Sequence, residues 1–318
     1  MSISVFDRVV NELQVARDSA GANLKIDSII CTDSDGTKSH HFCAPQHVNL
    51  RSIAKPIVCL ALGVAIDEGM TWEGSAISLE TLIWPFLSRI VGAASSENAM
   101  AWSEVTLRDL LRSTIGHEKG LLFSKDIKGR DPDEFLSYIV NYPILGRVGN
   151  DFVYSNAGVF ILSNLISTFS GMDLDRFVSD RLLARLGIVD VKWDRYGQIV
   201  AGCTGLWMSN EDLHKIGQLL LNNGNFGDRQ IVSESYVKEM RTPQVSAPTH
   251  RYVADRAFPK WSYGLCLWIT EDGNFYCDGT NGQYLIVLPR RGVVVTVVGN
   301  QEDTVPVSDA LGLFKQPY

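Results

Sequence analysis

A serine and a lysine spaced three residues apart are the first candidates for chemistry in this chain. Ser52 and Lys55 open a long apolar segment that runs to Gly69. If this segment is a helix, both side chains lie on one face, so the ammonium group of Lys55 can reach the hydroxyl of Ser52. Pro56 is tolerated only in a first turn, which predicts that the helix begins close to Ser52. The pair is typical of a serine nucleophile that is activated without histidine.

The Ser-x-x-Lys spacing is weak evidence alone, because a chain of this length contains roughly one copy by chance. Ser235 and Lys238 form a second copy, in a polar stretch that predicts a solvated amphipathic helix. Two further motifs follow Ser52 in order. Tyr154-Ser155-Asn156 precedes an apolar run, and Cys277-Asp278-Gly279-Thr280 lies between two candidate strands.

With these motifs in this order, the chain resembles the serine hydrolases of the penicillin-recognising, beta-lactamase-like superfamily. That group includes class C beta-lactamases, D,D-peptidases, family VIII carboxylesterases and nylon-oligomer hydrolases. The resemblance covers roughly residues 24–300 and includes the segments 105–111, 205–209 and 263–264.

The motifs suggest a role for each candidate residue. Ser52 would attack a carbonyl carbon and form an acyl-enzyme, with Tyr154, assisted by Lys55, as the general base and as the acid for the leaving group. Asn156 would orient Lys55 or hold a substrate carbonyl. The backbone N–H groups of Ser52 and Thr280 would form the oxyanion hole. The candidate oxyanion and substrate-binding residues are Asn156, Cys277, Asp278, Gly279 and Thr280.

Each motif also has a structural interpretation. Taken alone, Tyr154 fits an ordinary core tyrosine, and residues 278–282 fit a β-turn. Trp207, Trp261 and Trp268 fit a core role better than a substrate platform.

The third motif departs from the beta-lactamase pattern, which the resemblance gives as lysine or histidine at the position of Cys277. Because Asp278 adds a negative charge, we expect carboxylate-bearing substrates to be disfavoured and neutral esters to react more readily. The exception would be an arginine that reaches the site, for which the candidates are Arg256, Arg290 and Arg291.

The sequence therefore predicts a serine hydrolase that acts on a small ester, amide or lactone. An acyltransferase of a biosynthetic pathway, using the same acyl-enzyme, is the alternative. A beta-lactamase and a non-catalytic, penicillin-binding-like protein are less favoured. Neither a metal nor a cofactor is expected, because the six cysteines do not form Cys-x-x-Cys pairs and have no histidines at the spacing of a zinc site.

Composition restricts the class of partner and the compartment. The chain has 318 residues, of which 45% are hydrophobic and 20% charged, with a net charge of −7. This charge argues against nucleic acid and anionic membranes, which leaves a small-molecule acyl substrate as the expected partner and the oligomeric state open. No apolar run has transmembrane length, and residues 1–16 lack the pattern of a signal peptide, so a cytoplasmic location is expected.

The order of the predicted elements indicates the fold. Strands at both ends of the chain with helices between them predict an α+β (α/β sandwich) fold: an antiparallel sheet built from both termini, flanked by helices, with a helical insertion lobe. Residues 1–70 and 193–318 would form the sheet domain, and residues 71–192 the insertion. The predicted helices and strands are residues 24–31, 37–43, 52–69, 106–114, 132–140, 156–169, 174–186, 210–221, 263–270, 274–277, 284–288 and 293–298.

Overall fold

The largest element of the chain is an eight-stranded antiparallel sheet, which we describe from a computed structural model covering residues 3–92, 96–247 and 257–315. Two strands come from the N-terminal part and six from the C-terminal part, and they meet where Cys31 pairs with Val295. In sheet order the strands are β12 (Val245–Ser246), β13 (Ser262–Tyr263), β14 (Trp268–Ile269), β15 (Phe275–Gly279), β16 (Gln283–Leu288), β17 (Val293–Gly299), β1 (Ile26–Asp33) and β2 (Gly36–His41).

The remaining described strands are short. Three of them form a small sheet: β3 (Val48–Asn49), β9 (Leu206–Met208) and β6 (Lys192–Trp193). The others form hairpins: β4 (Thr71–Trp72) with β5 (Ser75–Ala76), β7 (Arg195–Tyr196) with β8 (Ile199–Val200), and β10 (Asn225–Phe226) with β11 (Arg229–Gln230).

Helices lie on both faces of the large sheet and in the middle of the chain. The described α-helices are α1 (Val5–Val15), α2 (Ala54–Asp67), α3 (Trp84–Val91), α4 (Ser96–Trp102), α5 (Leu107–Arg112), α6 (Ser124–Ile127), α7 (Phe135–Asn141), α8 (Ala157–Ser170), α9 (Leu174–Val178), α10 (Asn210–Leu221), α11 (Glu234–Met240) and α12 (Val305–Leu311). α9 continues as a π-helical segment, Ser179–Leu183, and a 3₁₀ turn, Ala184–Leu186.

The two faces of the sheet pack into separate hydrophobic clusters because successive side chains of a strand point to opposite sides. Leu285 and Val294 pack with α2, α8 and α10 in the larger cluster. Ile286 and Val295 pack with α1 and α12 in the smaller one. The predicted α+β sandwich, with its antiparallel sheet built from both ends of the chain, is confirmed.

Helix α2 lies at the centre of the larger cluster. Twelve of its fourteen residues are buried, which explains why its sequence is apolar on nearly every side. The helix is preceded by a 3₁₀ turn, Arg51–Ile53, and is followed by Gly69 in a left-handed conformation. The predicted position of Ser52 at a helix entrance is therefore confirmed, and Pro56 lies in the first turn.

Local sequence signals explain several other helix ends. Thr106 caps α5 with a reciprocal pair of hydrogen bonds to Asp109, and Ser209 caps α10 by accepting from the backbone N–H of Asp212. The single strand predicted at 263–270 is wrong, because the chain folds there into the hairpin β13–β14. The hairpin turns at Gly264, whose N–H donates to Leu267, and at Cys266, which has a φ of 59°.

The proposed insertion, residues 71–192, contributes helices α3 to α9 and no strand to the described part of the large sheet. The larger cluster contains residues from both proposed domains, including Ile57 of α2 and Phe160 of α8. The division into two domains stays a prediction.

Among the described residues, no single helix is both long and apolar enough to cross a membrane. Helix α8 and the segment Leu174–Leu186 reach that length and composition only together, as a pair bent by 74°.

Candidate active site

Ser52 and Lys55 are in direct contact at the start of α2. The Nζ atom of Lys55 lies 2.9 Å from the Oγ atom of Ser52 and donates a second hydrogen bond, of 3.1 Å, to the backbone carbonyl of Cys203. Lys55 is 1% exposed, whereas Ser52 is half-buried and lines an open cleft. A lysine is thus held against the serine from the protein interior.

Burial changes the acid–base behaviour of Lys55. Removal of the ammonium group from water lowers the pKa of Lys55, and the nearby groups Cys203, Cys266 and Asp278 offset that shift only in part. A lowered pKa makes the neutral amine, which can accept a proton, more accessible near neutral pH.

Tyr154 lies beside the same pair. The Nζ atom of Lys55 is 5.0 Å from the centroid of the Tyr154 ring. Burial raises the pKa of Tyr154 well above its ordinary value, Asp278 adds to the rise, and a hydrogen bond with Ser52 opposes it. On its other side the ring stacks on Trp268, with centroids 5.2 Å apart. The phenol is therefore held in its neutral form between the lysine and a tryptophan.

Asn156 lines the cleft at the start of α8. Its Nδ2 atom donates to the carbonyl of Leu122 at 2.9 Å, which fixes the orientation of the amide because a carbonyl can only accept. Its buried Oδ1 atom has no hydrogen-bond partner among the described residues. Within this part of the chain, Lys55 donates to Ser52 and Cys203, not to Asn156.

The third motif occupies the end of β15 and the turn that follows. Thr280 lines the cleft together with Ser52 and Asn156. Cys277 is instead buried in the larger hydrophobic cluster, and burial raises the pKa of its thiol. Among the described residues, neither Cys277 nor Asp278 lines the cleft. The structure therefore brings only part of this motif to the cleft.

Gly279 permits close contact between β15 and the turn that carries Ser52. A Cβ atom at this position would lie 2.5 Å from the carbonyl oxygen of Leu50 and 3.1 Å from the Cβ atom of Arg51. Glycine is required here because the backbone of the neighbouring segment occupies the space of a side chain.

The expected repulsion by Asp278 needs correction, because this carboxylate is paired. Lys260, which is 7% exposed, lies 2.9 Å from the carboxylate, and the indole N–H of Trp268 donates to its other oxygen at 2.8 Å. Arg290 and Arg291 lie in the turn between β16 and β17, at the opposite end of β16 from Thr280. Arg256, the remaining candidate, lies outside the described residues. Lys260, a cation for which the sequence held no signal, thus pairs with the carboxylate of this motif.

The cleft has a volume of about 250 Å³. Besides Ser52, Asn156 and Thr280, its walls include the aromatic residues Phe123 and Tyr196, and Arg51, which directly precedes the nucleophile. Among the described residues, no group of three or more His, Cys, Asp or Glu side chains could hold a metal ion.

Three features of the site had no clear signal in the sequence. The carbonyl of Cys203 and the side chain of Lys260 are brought in by distant segments. Trp268 was interpreted as a core residue, and it is buried, yet it also supports Tyr154. The core interpretation is wrong for Trp261, which is 46% exposed. For Arg51, its position next to Ser52 was the available signal.

The second Ser-x-x-Lys pair has no such surroundings. Ser235 and Lys238 are exposed on α11, and Lys238 forms an ion pair with Glu234 at 2.7 Å. The predicted solvated helix is confirmed there.

Comparison with known proteins identifies the family of the chain. A family model named Beta-lactamase matches residues 46–314 of the chain. The 6-aminohexanoate-dimer hydrolase of Paenarthrobacter ureafaciens is 25% identical over 186 residues, which are 54% of this chain and 45% of that protein. The chain spans between 45% and 66% of the length of the curated relatives that it matches.

Solved structures share the fold over nearly the whole chain. A beta-lactamase from Mycobacterium bovis has a TM-score of 0.65 at 20% identity, covering 95% of this chain and 97% of that chain. EstCE1, a hydrolase with promiscuous acyltransferase activity, has a TM-score of 0.70 at 14% identity, covering 98% of each chain. Since the family model extends over most of the sequence, the chain belongs to the beta-lactamase family of serine hydrolases.

Proposed function

We propose that this protein hydrolyses a small ester, amide or lactone through an acyl-enzyme on Ser52. The observation that carries the proposal is the 2.9 Å contact between Lys55 and Ser52, at the point where a buried helix meets an open cleft. A serine hydroxyl is a poor nucleophile until a neighbouring base takes its proton, and Lys55 is the base in contact with it.

The pKa of Lys55 is lowered and that of Tyr154 is raised, so we assign the two residues different proton transfers. The sequence-based hypothesis gave the first transfer to Tyr154 with help from Lys55. The lowered pKa of Lys55 favours its amine as the atom that receives the proton from Ser52.

The remaining steps of acylation need no reactant other than the substrate and these residues. The Oγ–carbon bond forms, the bond to the leaving group breaks, and Tyr154 gives its proton to the leaving group. Lys55 passes the proton that it received to Tyr154. A water molecule reverses these transfers when it releases the acyl group from Ser52.

Backbone and amide groups of the cleft would hold the substrate. The N–H groups of Ser52 and Thr280 are the proposed donors to the oxyanion, with Gly279 allowing β15 to lie close to Ser52. The Oδ1 atom of Asn156, which has no hydrogen-bond partner among the described residues, would accept a hydrogen bond from the substrate, for which an amide N–H is suitable. This acceptor replaces the sequence-based role of Asn156 in holding a substrate carbonyl.

The proposal is tested by a fluorophosphonate probe, with intact-mass detection, and by hydrolysis of p-nitrophenyl acetate. We expect Ser52→Ala to abolish both the adduct and turnover while its denaturant unfolding curve stays unchanged. Ser235→Ala is the matched control, because it removes the serine of the second Ser-x-x-Lys pair and should retain both. Labelling of Ser52→Ala at the wild-type rate would show that the nucleophile is another residue.

Acyl transfer is the second candidate, since the acyl-enzyme is the same and the structurally similar EstCE1 has promiscuous acyltransferase activity. The same ester assay with an added amine or alcohol distinguishes the two. A transferred product that exceeds the hydrolysis product would favour the transferase.

A further inference from the structure

Arg51 is the one charged residue among the described residues that line the cleft. It immediately precedes Ser52, so any group that it binds lies beside the nucleophile. Its side chain is half-buried. A guanidinium group in this position adds a positive charge to the wall of the cleft, although the chain as a whole carries a net charge of −7.

The guanidinium of Arg51 has no partner within the described part of the chain. The hydrogen bond recorded for this residue comes from its backbone N–H, which donates to the Oδ1 atom of Asn49 at 2.9 Å. The positive charge of Arg51 lowers the pKa of Tyr196 and so opposes part of the rise that burial causes. Arg51 and Tyr196 both line the cleft.

Two acids near the site, Asp278 and Asp194, are already engaged by other groups. Asp278 is paired with Lys260, and Asp194, which also acts on Tyr196, accepts hydrogen bonds from the indole N–H of Trp207 at 3.1 and 3.2 Å. A half-buried guanidinium with five donors and no acceptor therefore remains available to a ligand.

The backbone holds Arg51 in an uncommon conformation. Its φ of 54° lies in the left-handed region, which is unfavourable for residues with a Cβ atom and is often retained at ligand-binding sites. Gly279 leaves room for this conformation, since a Cβ atom there would lie 3.1 Å from that of Arg51. The backbone of Arg51 is thus positioned by the same contact that places β15 next to Ser52.

We propose that Arg51 binds a carboxylate of the substrate, so that the preferred substrates are esters or amides that carry a negative charge. A planar guanidinium matches a carboxylate with two parallel hydrogen bonds, which is why arginine is suited to this role. The inference rests on the proposed nucleophilic function of Ser52. It replaces the sequence-based expectation that neutral esters react more readily, which depended on an unpaired Asp278.

The test compares two p-nitrophenyl esters of equal chain length, the hexanoate and the mono-ester of adipic acid. For the wild-type protein we expect kcat/KM to be roughly 10- to 100-fold higher for the charged ester, the effect of one charge-assisted pair. Arg51→Gln should remove this preference, with a loss of kcat/KM that is roughly 10- to 100-fold larger for the charged ester than for the neutral one. Arg51→Lys, which keeps the charge, should retain part of the preference.

Two controls make the outcome specific. Arg229→Gln removes the same charge from an exposed position in the β10–β11 hairpin and should leave the preference unchanged. Raising the ionic strength should reduce the preference of the wild-type protein and have no such effect on Arg51→Gln.

The results separate this inference from the proposed function. If neither ester is hydrolysed in a Ser52-dependent manner, the proposed hydrolase is wrong and the inference is lost with it. If both are hydrolysed but Arg51→Gln lowers kcat/KM equally for the two, or leaves the charged preference intact, the inference alone is overturned.

Discussion

Lys55 and Tyr154 are perturbed in opposite directions by the same burial. Desolvation favours the neutral form of each group, so it lowers the pKa of the lysine and raises that of the tyrosine. With the Lys55 ammonium 5.0 Å from the Tyr154 ring, removal of a proton from one group changes the field at the other. We therefore expect the two residues to act as one proton-exchanging unit.

A double-mutant cycle tests this coupling. Lys55→Ala and Tyr154→Phe should each lower the acylation rate by about two to four orders of magnitude, as expected for loss of an acid or base. The double variant should lose much less than the product of the two losses, because the second change removes a unit that is already inactive. Single-turnover acylation by a chromogenic ester measures all four proteins, and fully multiplicative losses would contradict a shared proton.

The sequence predicted those contacts that depend on residues close together in the chain. Ser52 and Lys55 could be placed on one helix face from their spacing alone. Lys260 could not be assigned to Asp278, because the side chains meet only after the hairpin β13–β14 has folded between them. Arg51 is adjacent to Ser52 in the sequence. Whether its guanidinium is available to a ligand depends on which groups the nearby acids bind in the folded protein, and the sequence does not show this.

At the scale of elements, the contact between β15 and the turn before α2 sets the width of the site. Gly279→Ala would push a methyl group against the Leu50 carbonyl, which is backbone and has little freedom to move. We expect kcat/KM to fall by about 100-fold, since a displacement near 1 Å is enough to misalign reacting groups.

Gly299→Ala is the matched control for this change. Its Cβ atom would also meet a backbone oxygen, that of Lys25 at 2.4 Å, but in the pairing of β17 with the N-terminal strand. Both variants should lose stability in urea unfolding, and Gly279→Ala alone should lose most of its activity per folded molecule. Equal losses of specific activity would mean that the Gly279 contact has no special role.

Most elements with strong local signals were predicted within a few residues. Thr106 and Ser209 carry such signals, as capping residues whose side chains accept from their own helices. The hairpin β13–β14 was not predicted because its turn depends on packing against a distant helix. A Cβ atom at Gly264 would lie 2.2 Å from the carbonyl oxygen of Met240 in α11. That contact has no counterpart in the local sequence pattern.

At the scale of the whole molecule, two buried histidines connect folding to acidity. Burial lowers the pKa of both His117 and His214 from 6.5 to about 4. His214 is hydrogen-bonded to Thr32 and Thr296, whereas neither ring nitrogen of His117 has a partner among the described residues. Both rings are held neutral in the folded protein.

The pH dependence of unfolding follows from these pKa values. Between pH 6.5 and about 4 the unfolded chain binds protons at these histidines and the folded chain does not, so stability falls as the pH falls through this window. The full effect for one residue is about 3 kcal/mol. His117→Phe should remove the contribution of this residue to the pH dependence of stability. The urea midpoint would then change less with pH than in the wild-type protein. An unchanged slope in His117→Phe would refute the assignment.

The compartment and the domain division are also properties of the whole molecule, and both stay predictions. A cytoplasmic location was inferred from the N-terminal sequence, which the fold does not test. The proposed boundary near residue 70 follows α2 closely, yet α2 and α8 share one cluster of buried side chains. Separation of α2 from α8 would therefore expose apolar surface of both helices.

The meeting of the two ends of the chain in one sheet has a consequence for biosynthesis. In the pairing of β1 with β17, Ile26 lies opposite Gly299, so the edge of β1 that pairs with β17 has no permanent neighbour until the chain has been synthesised beyond residue 299. At about 5–20 residues per second this delay is on the order of tens of seconds. During this delay, the unpaired edge of β1 and its apolar side chains are open to contact with other nascent chains, so we expect this strand to need protection by a chaperone.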